Sequence, residues 1–296
     1  MSASPQAPSP KTPDDRVAVV TGASRGAGKG IALALGDAGY TVYVTGRTAT
    51  EGQSALPGTV SSTAEEVTAR GGRGIPVIVD HSVDTDVEHL FTRVREEQGH
   101  LDVLVNNALS IPDALATKGP FFQKPLALLD LWDVGMRSSY VATYYAASLL
   151  LESTAGLVVN TSSFGGTCYM HGPAYGAGKA AVDKMAHDMA HDFGPYGVTV
   201  VSIWMGLLKT ERTLAGVAED PEAYRDILAS AESPEFTGRV IAALTQEPDL
   251  IRRSGQVLIG AELADELGVT DVDGNSPPSH RSYLGDPPQF SSAVIE

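Results

Sequence analysis

The chain is poor in cysteine, in basic residues and in long apolar runs. A single cysteine, Cys168, among 296 residues excludes an internal disulfide, and no Cys/His cluster has the spacing of a zinc site. A reducing, cytoplasmic setting fits that usage. Lysine and arginine number 21 against 36 aspartates and glutamates, for a formal charge of -15. A nucleic-acid partner would need the clustered cations that are scarce here. The longest nearly apolar run, Val141 to Leu151, is far shorter than the ~20 residues that span a bilayer. No membrane segment is expected. The first thirteen residues hold four prolines and no apolar block, so they read as a disordered tail rather than a signal peptide.

What is present is the pattern of a soluble enzyme, with 43% hydrophobic residues and enough length for a sizeable core. From residue 14 to 274 short β-branched runs alternate with helical patterns. This predicts a single-domain α/β fold: a doubly wound, Rossmann-type parallel sheet of about seven strands with helices on both faces. The strands are expected at Val17–Thr21, Thr41–Thr45, Ile75–Asp80, Val103–Asn106, Gly156–Ser162, Val198–Ile203 and Gln256–Ile259. Helices are expected at Gly28–Asp37, Thr63–Arg70 and Asp86–Gln98, each followed by glycine, and as two longer segments, Leu126–Leu151 and Tyr175–Phe193. The wide apolar faces of the long pair point to a homo-oligomer, a dimer or tetramer. Residues 207–230 break the rhythm after the sixth strand, where a lid over a ligand belongs. The segment 275–296, rich in proline, is expected to lie outside the core or to dock on a neighbouring subunit.

Two groups of residues carry chemistry. Thr21 to Gly28 reads TGASRGAG at a strand-to-helix junction. Gly22, Gly26 and Gly28 let the chain turn tightly and bring its backbone, with Ser24 and Arg25 in the same loop, close to a diphosphate. The second strand is followed by Gly46-Arg47 rather than by the acid that would accept hydrogen bonds from an adenosine ribose. Arg47 and Arg25 are placed to grip an additional 2′-phosphate, which reads as NADP (NADPH); the plain alternative is that Arg47 is a solvated surface arginine. Downstream, Tyr175 and Lys179 are four apart on a helix and share a face. A nearby ammonium favours the phenolate and brings a tyrosine closer to neutral titration. Ser163, at the end of the fifth strand, is placed to put its hydroxyl on the same substrate oxygen, with Ser162 as its rival.

Together TGASRGAG, Asn106-Asn107-Ala108, SSFGG at Ser162 to Gly166 and YGAGK at Tyr175 to Lys179 resemble the short-chain dehydrogenase/reductase family over residues 16 to about 270. The resemblance implies Tyr175 as proton donor or acceptor, Lys179 as its partner that also holds the nicotinamide ribose, and Ser163 as the substrate-orienting hydroxyl. It further implies Asp80 as an adenine contact, Asn107 as a wall of the cofactor groove, and Leu208 and Thr210 beside the nicotinamide carboxamide. Three positions depart from the family pattern. Gly135 replaces an asparagine of the proton relay, so a relay here needs backbone or water. Met205-Gly206 replaces Pro-Gly, and Ala108-Leu109 replaces Ala-Gly. These departures, with SPEFTGR at Ser233 to Arg239 and DVDG at Asp271 to Gly274, resemble the branch typified by dehydrogenase/reductase member 1.

The expected function is NADP-dependent hydride transfer between nicotinamide and the carbonyl or secondary alcohol of a fairly apolar small molecule. Its rivals are a dinucleotide-binding regulatory or scaffold protein with weak chemistry, which Gly135 favours, and, more remotely, a lyase or isomerase. His171, Cys168 and the pair His187/His191 read as packing or surface residues rather than as catalysts or metal ligands.

Overall fold

The fold is taken from a computed structural model that describes residues 16–295; the expected tail over residues 1–13 lies outside the described residues. Among these, seven strands form one parallel sheet: β1 Val17–Val20, β2 Thr41–Gly46, β3 Arg73–Ile78, β4 Val103–Asn106, β5 Leu157–Ser162, β6 Thr199–Trp204 and β7 Val257–Ile259. Their order is β3-β2-β1-β4-β5-β6-β7. Every residue of β1, β2, β4, β5 and β6 is buried, which is why these runs are apolar without alternation. At the β3 edge the burial lapses and Pro76 is tolerated, since an edge strand has N–H groups to spare.

Side chains leave each strand alternately for the two faces. Ala18 and Val20 join a core with α1 (Gly26–Asp37), α2 (Val60–Ala69), α8 (Phe236–Leu244) and α9 (Gly260–Leu267). Val17 and Val19 join the opposite core with α3 (Asp84–Gln98), α4 (Ser138–Leu150) and α5 (Pro173–Phe193). The chain reverses its direction of build-up between β1 and β4, so their carboxyl ends open a crevice where ligands of such sheets bind.

The helix expected over Leu126–Leu151 is interrupted. A 3₁₀ turn spans Leu126–Leu129, and a distorted stretch follows at Trp132–Arg137, where Val134 (φ -113°, ψ 94°) and Gly135 (φ 148°, ψ -55°) leave helical geometry. Regular helix resumes only at Ser138. Local hydrogen bonds hold the break: Ser110 N–H donates to Val134 O (2.9 Å), Ser138 Oγ accepts from Gly135 N–H (3.0 Å), and Ser139 Oγ donates to Gly135 O (2.6 Å).

The segment 207–230 forms α6 (Glu211–Glu219) and α7 (Pro221–Leu228). Its base is clipped where Glu232 N–H donates to Leu207 O (2.7 Å) and Lys209 N–H donates to Glu232 O (2.9 Å). The carboxy-terminal segment corrects an expectation, because it docks on its own domain. Arg281, at the start of α10 (Arg281–Leu284), pairs with Glu262 (2.5 Å) and Asp286 (2.6 Å). His280 is buried against Phe164 and Tyr283, and Phe290 stacks on His187 (4.9 Å). These are contacts of isolated side chains, and they leave no periodicity to read.

Candidate active site

The cradle is knitted across the β1–β4 crevice. Thr21 Oγ1 accepts from the N–H groups of Asn107 (2.8 Å) and Ala108 (2.9 Å), while Asn107 Nδ2 donates to Thr21 O (2.9 Å) and Gly22 O (3.2 Å). Only glycine fits here. A Cβ on Gly22 would stand 2.7 Å from Ala108 Cα, and one on Gly28 would stand 2.3 Å from Gly22 O. From this point a groove of about 710 Å³ runs past Ser24, Arg25, Gly26, Arg47, Asp80, Asn107, Lys179, Leu208 and Thr210. The structure therefore brings together the residues expected to hold a dinucleotide. Tyr175 lies beside the groove, on an adjoining cavity of about 10 Å³ shared with Lys179 and Gly135.

The groove suits an anionic cofactor on a structural ground. The N–H of Gly26, at the first position of α1, donates to a carboxylate, Glu211 Oε2, at 2.9 Å. A helix N-terminus favours negative charge. The sequence reading did not include Glu211; it lies 185 residues from its partner and has no motif. On the β2 side of the groove Arg47 is exposed and 3.8 Å from Asp80. Arg25 instead braces the following loop, donating to Pro57 O (2.9 Å), Gly58 O (2.7 Å) and Thr48 Oγ1 (3.1 Å). Asp80 lies two residues past the end of β3 and caps Ser82 N–H (2.9 Å), which, with Arg47, holds its carboxyl below the usual range against the opposing effect of burial. Its neighbour His81, also absent from the sequence reading, is buried with Nε2 2.8 Å from Thr45 Oγ1; burial pulls its pKa down to about 4.

Beside the groove, near Lys179, Ser163 Oγ is 2.9 Å from Tyr175 Oη. Ser162, by contrast, is fully buried, and its hydroxyl points to Lys179 O (3.5 Å). The geometry favours Ser163 over its rival. Lys179 Nζ donates to Thr161 O (3.1 Å) and lies 5.8 Å from the centre of the Tyr175 ring. Burial is the largest influence on both side chains: it pushes the Tyr175 phenol up, against the lowering hydrogen bond from Ser163, and pulls Lys179 down to about 8. Lys179 is thus not the dominant influence on the tyrosine that its spacing suggested. The wall around Tyr175 is apolar, formed by Leu109, Leu131, Trp132 and Ala174.

Between Ser163 and Tyr175, Cys168 and Met170 pack on Phe164 and Trp204, while Tyr169 is 82% exposed. His171 is exposed, has a positive φ of 58°, and touches the Tyr175 ring edge-on at 5.2 Å. Among the described residues no group of three or more His, Cys, Asp or Glu is placed to hold a metal. No helix among them is long and apolar enough to cross a membrane.

The family profile described as short chain dehydrogenase matches residues 16–220. The chain belongs to the short-chain dehydrogenase family. It is 42% identical over 270 residues to dehydrogenase/reductase SDR family member 1 of Mus musculus, covering 88% of this chain and 84% of that one. The Homo sapiens protein of the same name is 41% identical over 270 residues with the same coverage. A crystal structure of a short-chain dehydrogenase from Mycobacterium thermoresistibile shares the fold: its TM-score is 0.73 at 21% identity, over 90% of this chain and 93% of that one. As a short-chain dehydrogenase the chain is an oxidoreductase of a family that works with nicotinamide cofactors.

Proposed function

We propose that this short-chain dehydrogenase uses NADP and interconverts an apolar ketone or aldehyde with its alcohol, reduction being the favoured direction. The observation that carries the reading is the 2.9 Å contact of Ser163 Oγ with Tyr175 Oη, one helical turn from Lys179, beside a glycine-cradled groove. The nicotinamide, when bound, supplies or accepts the hydride. The protein's residues do the rest. Ser163 donates a hydrogen bond to the carbonyl oxygen, and Tyr175 passes its phenolic proton to that oxygen as negative charge develops there. Burial keeps the phenol protonated at neutral pH, ready to donate. In the reverse direction the tyrosine takes the proton back.

Lys179 lines both the groove and the small cavity behind Tyr175, so one ammonium serves the cofactor ribose and the tyrosine. That cavity, about 10 Å³, has room for a single water. Such a water, with the backbone of the kinked stretch, takes the place of the relay asparagine that Gly135 replaces. Arg47 supports the choice of NADP over NAD, because no carboxylate follows β2 to accept from a free ribose. The apolar wall around Tyr175 supports an apolar substrate. Exposed Tyr140 and Tyr144 on α4 support a homodimer or a tetramer built on it, and the lone cysteine supports a cytoplasmic home.

A screen of aliphatic and aromatic ketones and aldehydes, followed by cofactor consumption with NADPH and NADH in parallel, tests this. Turnover with NADPH preferred is the expected result. Equal use of both cofactors would remove the NADP assignment, and silence across the panel would favour the regulatory, dinucleotide-binding alternative that Gly135 supports.

A further inference from the structure

The helix that carries Tyr175 and Lys179 continues the same stripe one turn further, to Asp183. That position is a charged residue with no exposure at all. Its partners arrive from elsewhere in the sheet: Oδ1 accepts from Ser202 Oγ at 2.6 Å and Oδ2 from Trp204 Nε1 at 2.9 Å, both on β6. Ser162, the residue before the proposed substrate-orienting serine, lies near enough to favour the carboxylate as well. Burial pushes the Asp183 carboxyl up, and these donors, with the Lys179 ammonium, oppose burial in favour of the carboxylate; an indole N–H can only donate. Room for it is also built in. A Cβ on Gly166, in the turn after Ser163, would lie 2.6 Å from Oδ2.

Lys179 is a buried cation that donates to the backbone carbonyl of Thr161. Burial disfavours its ammonium, and Asp183 is the one charge that opposes burial there. Strands β5, β6 and β7, which pack on this helix, carry no titratable side chain. The other titratable groups nearby are Tyr175, His171 against its ring, Cys168 of the loop, the exposed Asp133 and Arg137 of the kinked stretch, and Lys184 and Asp188, which pair with each other at the surface. We propose that Asp183 is a positioning residue of the active site: the buried counter-charge of Lys179, which also ties the helix turn of that lysine to Ser162 and to the end of β6. The inference rests on the oxidoreductase reading for its catalytic consequence, but its electrostatic core concerns this chain alone.

Asp183→Asn keeps the shape and removes the charge. Without the charge Lys179 loses its proton at lower pH. Titration of the holoprotein's NADPH fluorescence from pH 5.5 to 9 reads this directly, and turnover of any active carbonyl over the same range reads it a second time. The expected result for D183N is that the alkaline loss of NADPH affinity and of kcat moves down by about one pH unit. The variant is then about threefold impaired at pH 7.5, about tenfold at pH 9, and hardly at all at pH 6. An unmoved midpoint, or the same loss at every pH, overturns the proposal, because a purely structural role impairs the enzyme uniformly. If D183N does not fold, Asp183→Glu, which keeps the charge, carries the test. Its midpoint should stay at the wild-type pH, and a displaced one overturns the proposal. The binding titration holds even if no carbonyl is reduced, so failure of the proposed chemistry and failure of this inference are told apart.

Discussion

At the scale of the residue, the side chains proposed for the chemistry could be named from the sequence because hydride transfer restricts which residue types can serve. A proton donor, its cation and a strand-end hydroxyl recur at fixed separations, and the structure brings Ser163 and Tyr175 within 2.9 Å. Choosing between Ser162 and Ser163 needed coordinates, since adjacent residues on a strand point to opposite faces. Ser163→Ala is expected to cost about 10²-fold in kcat, the scale of a lost oxyanion donor. Ser162→Ala should cost thermal stability more than turnover. Kinetics and melting curves of the two variants check the assignment, and the reverse pattern would exchange the roles. Arg47→Ala should lower NADPH affinity at least tenfold, the worth of a charge-assisted pair, and leave NADH affinity unchanged in a fluorescence titration. Glu211, His81 and Asp183 were not readable: each is a single ordinary residue whose meaning comes from a partner distant in the chain.

At the scale of the element, strands and most helices could be read because buried parallel strands and glycine-ended helices carry periodic signals. The long segment before α4 was misread, since apolar residues flank Gly135 on both sides and periodicity runs through the break. The glycine itself was the clue. Its φ of 148° suits no L side chain, and a Cβ there would lie 2.6 Å from Leu109 Cδ1. Gly135→Asn, which restores the asparagine usual in the family, is therefore expected to lower Tm and turnover together; a gain in turnover with Tm unchanged would contradict this. The base of the segment 207–230 has its own titration. Glu232 is buried, accepts from Gly206 N–H (2.9 Å), and burial raises it to about 7 from an ordinary 4.5. A carboxyl whose folded pKa is raised costs stability above that pKa and relieves the cost as pH falls toward the unfolded value. Glu232→Gln should thus raise stability at pH 8.5, on the order of 2–3 kcal/mol, and give little or nothing at pH 4.5. Denaturant melts at the two pH values read it.

At the scale of the whole molecule, the doubly wound sheet of seven strands was legible, because alternating strand and helix patterns permit few other topologies. The carboxy-terminal segment was not. It straps back over the Phe164–Trp204 cluster beside the site, with Leu284 against that cluster and Arg281 paired to Glu262. Truncation after Gly274 uncovers these groups and is expected to lower Tm and weaken turnover; a fully active, equally stable truncated protein would mean that the strap is dispensable. In the proposed function the protein is a reductase in which Tyr175 supplies the proton. The most direct test is NADPH consumption by the wild-type chain and by Tyr175→Phe, on the same active carbonyl and with cofactor affinity measured alongside. The expected result is wild-type turnover, its loss by about 10³-fold or more in Y175F, and NADPH affinity nearly unchanged. Turnover retained in Y175F would contradict that role for Tyr175.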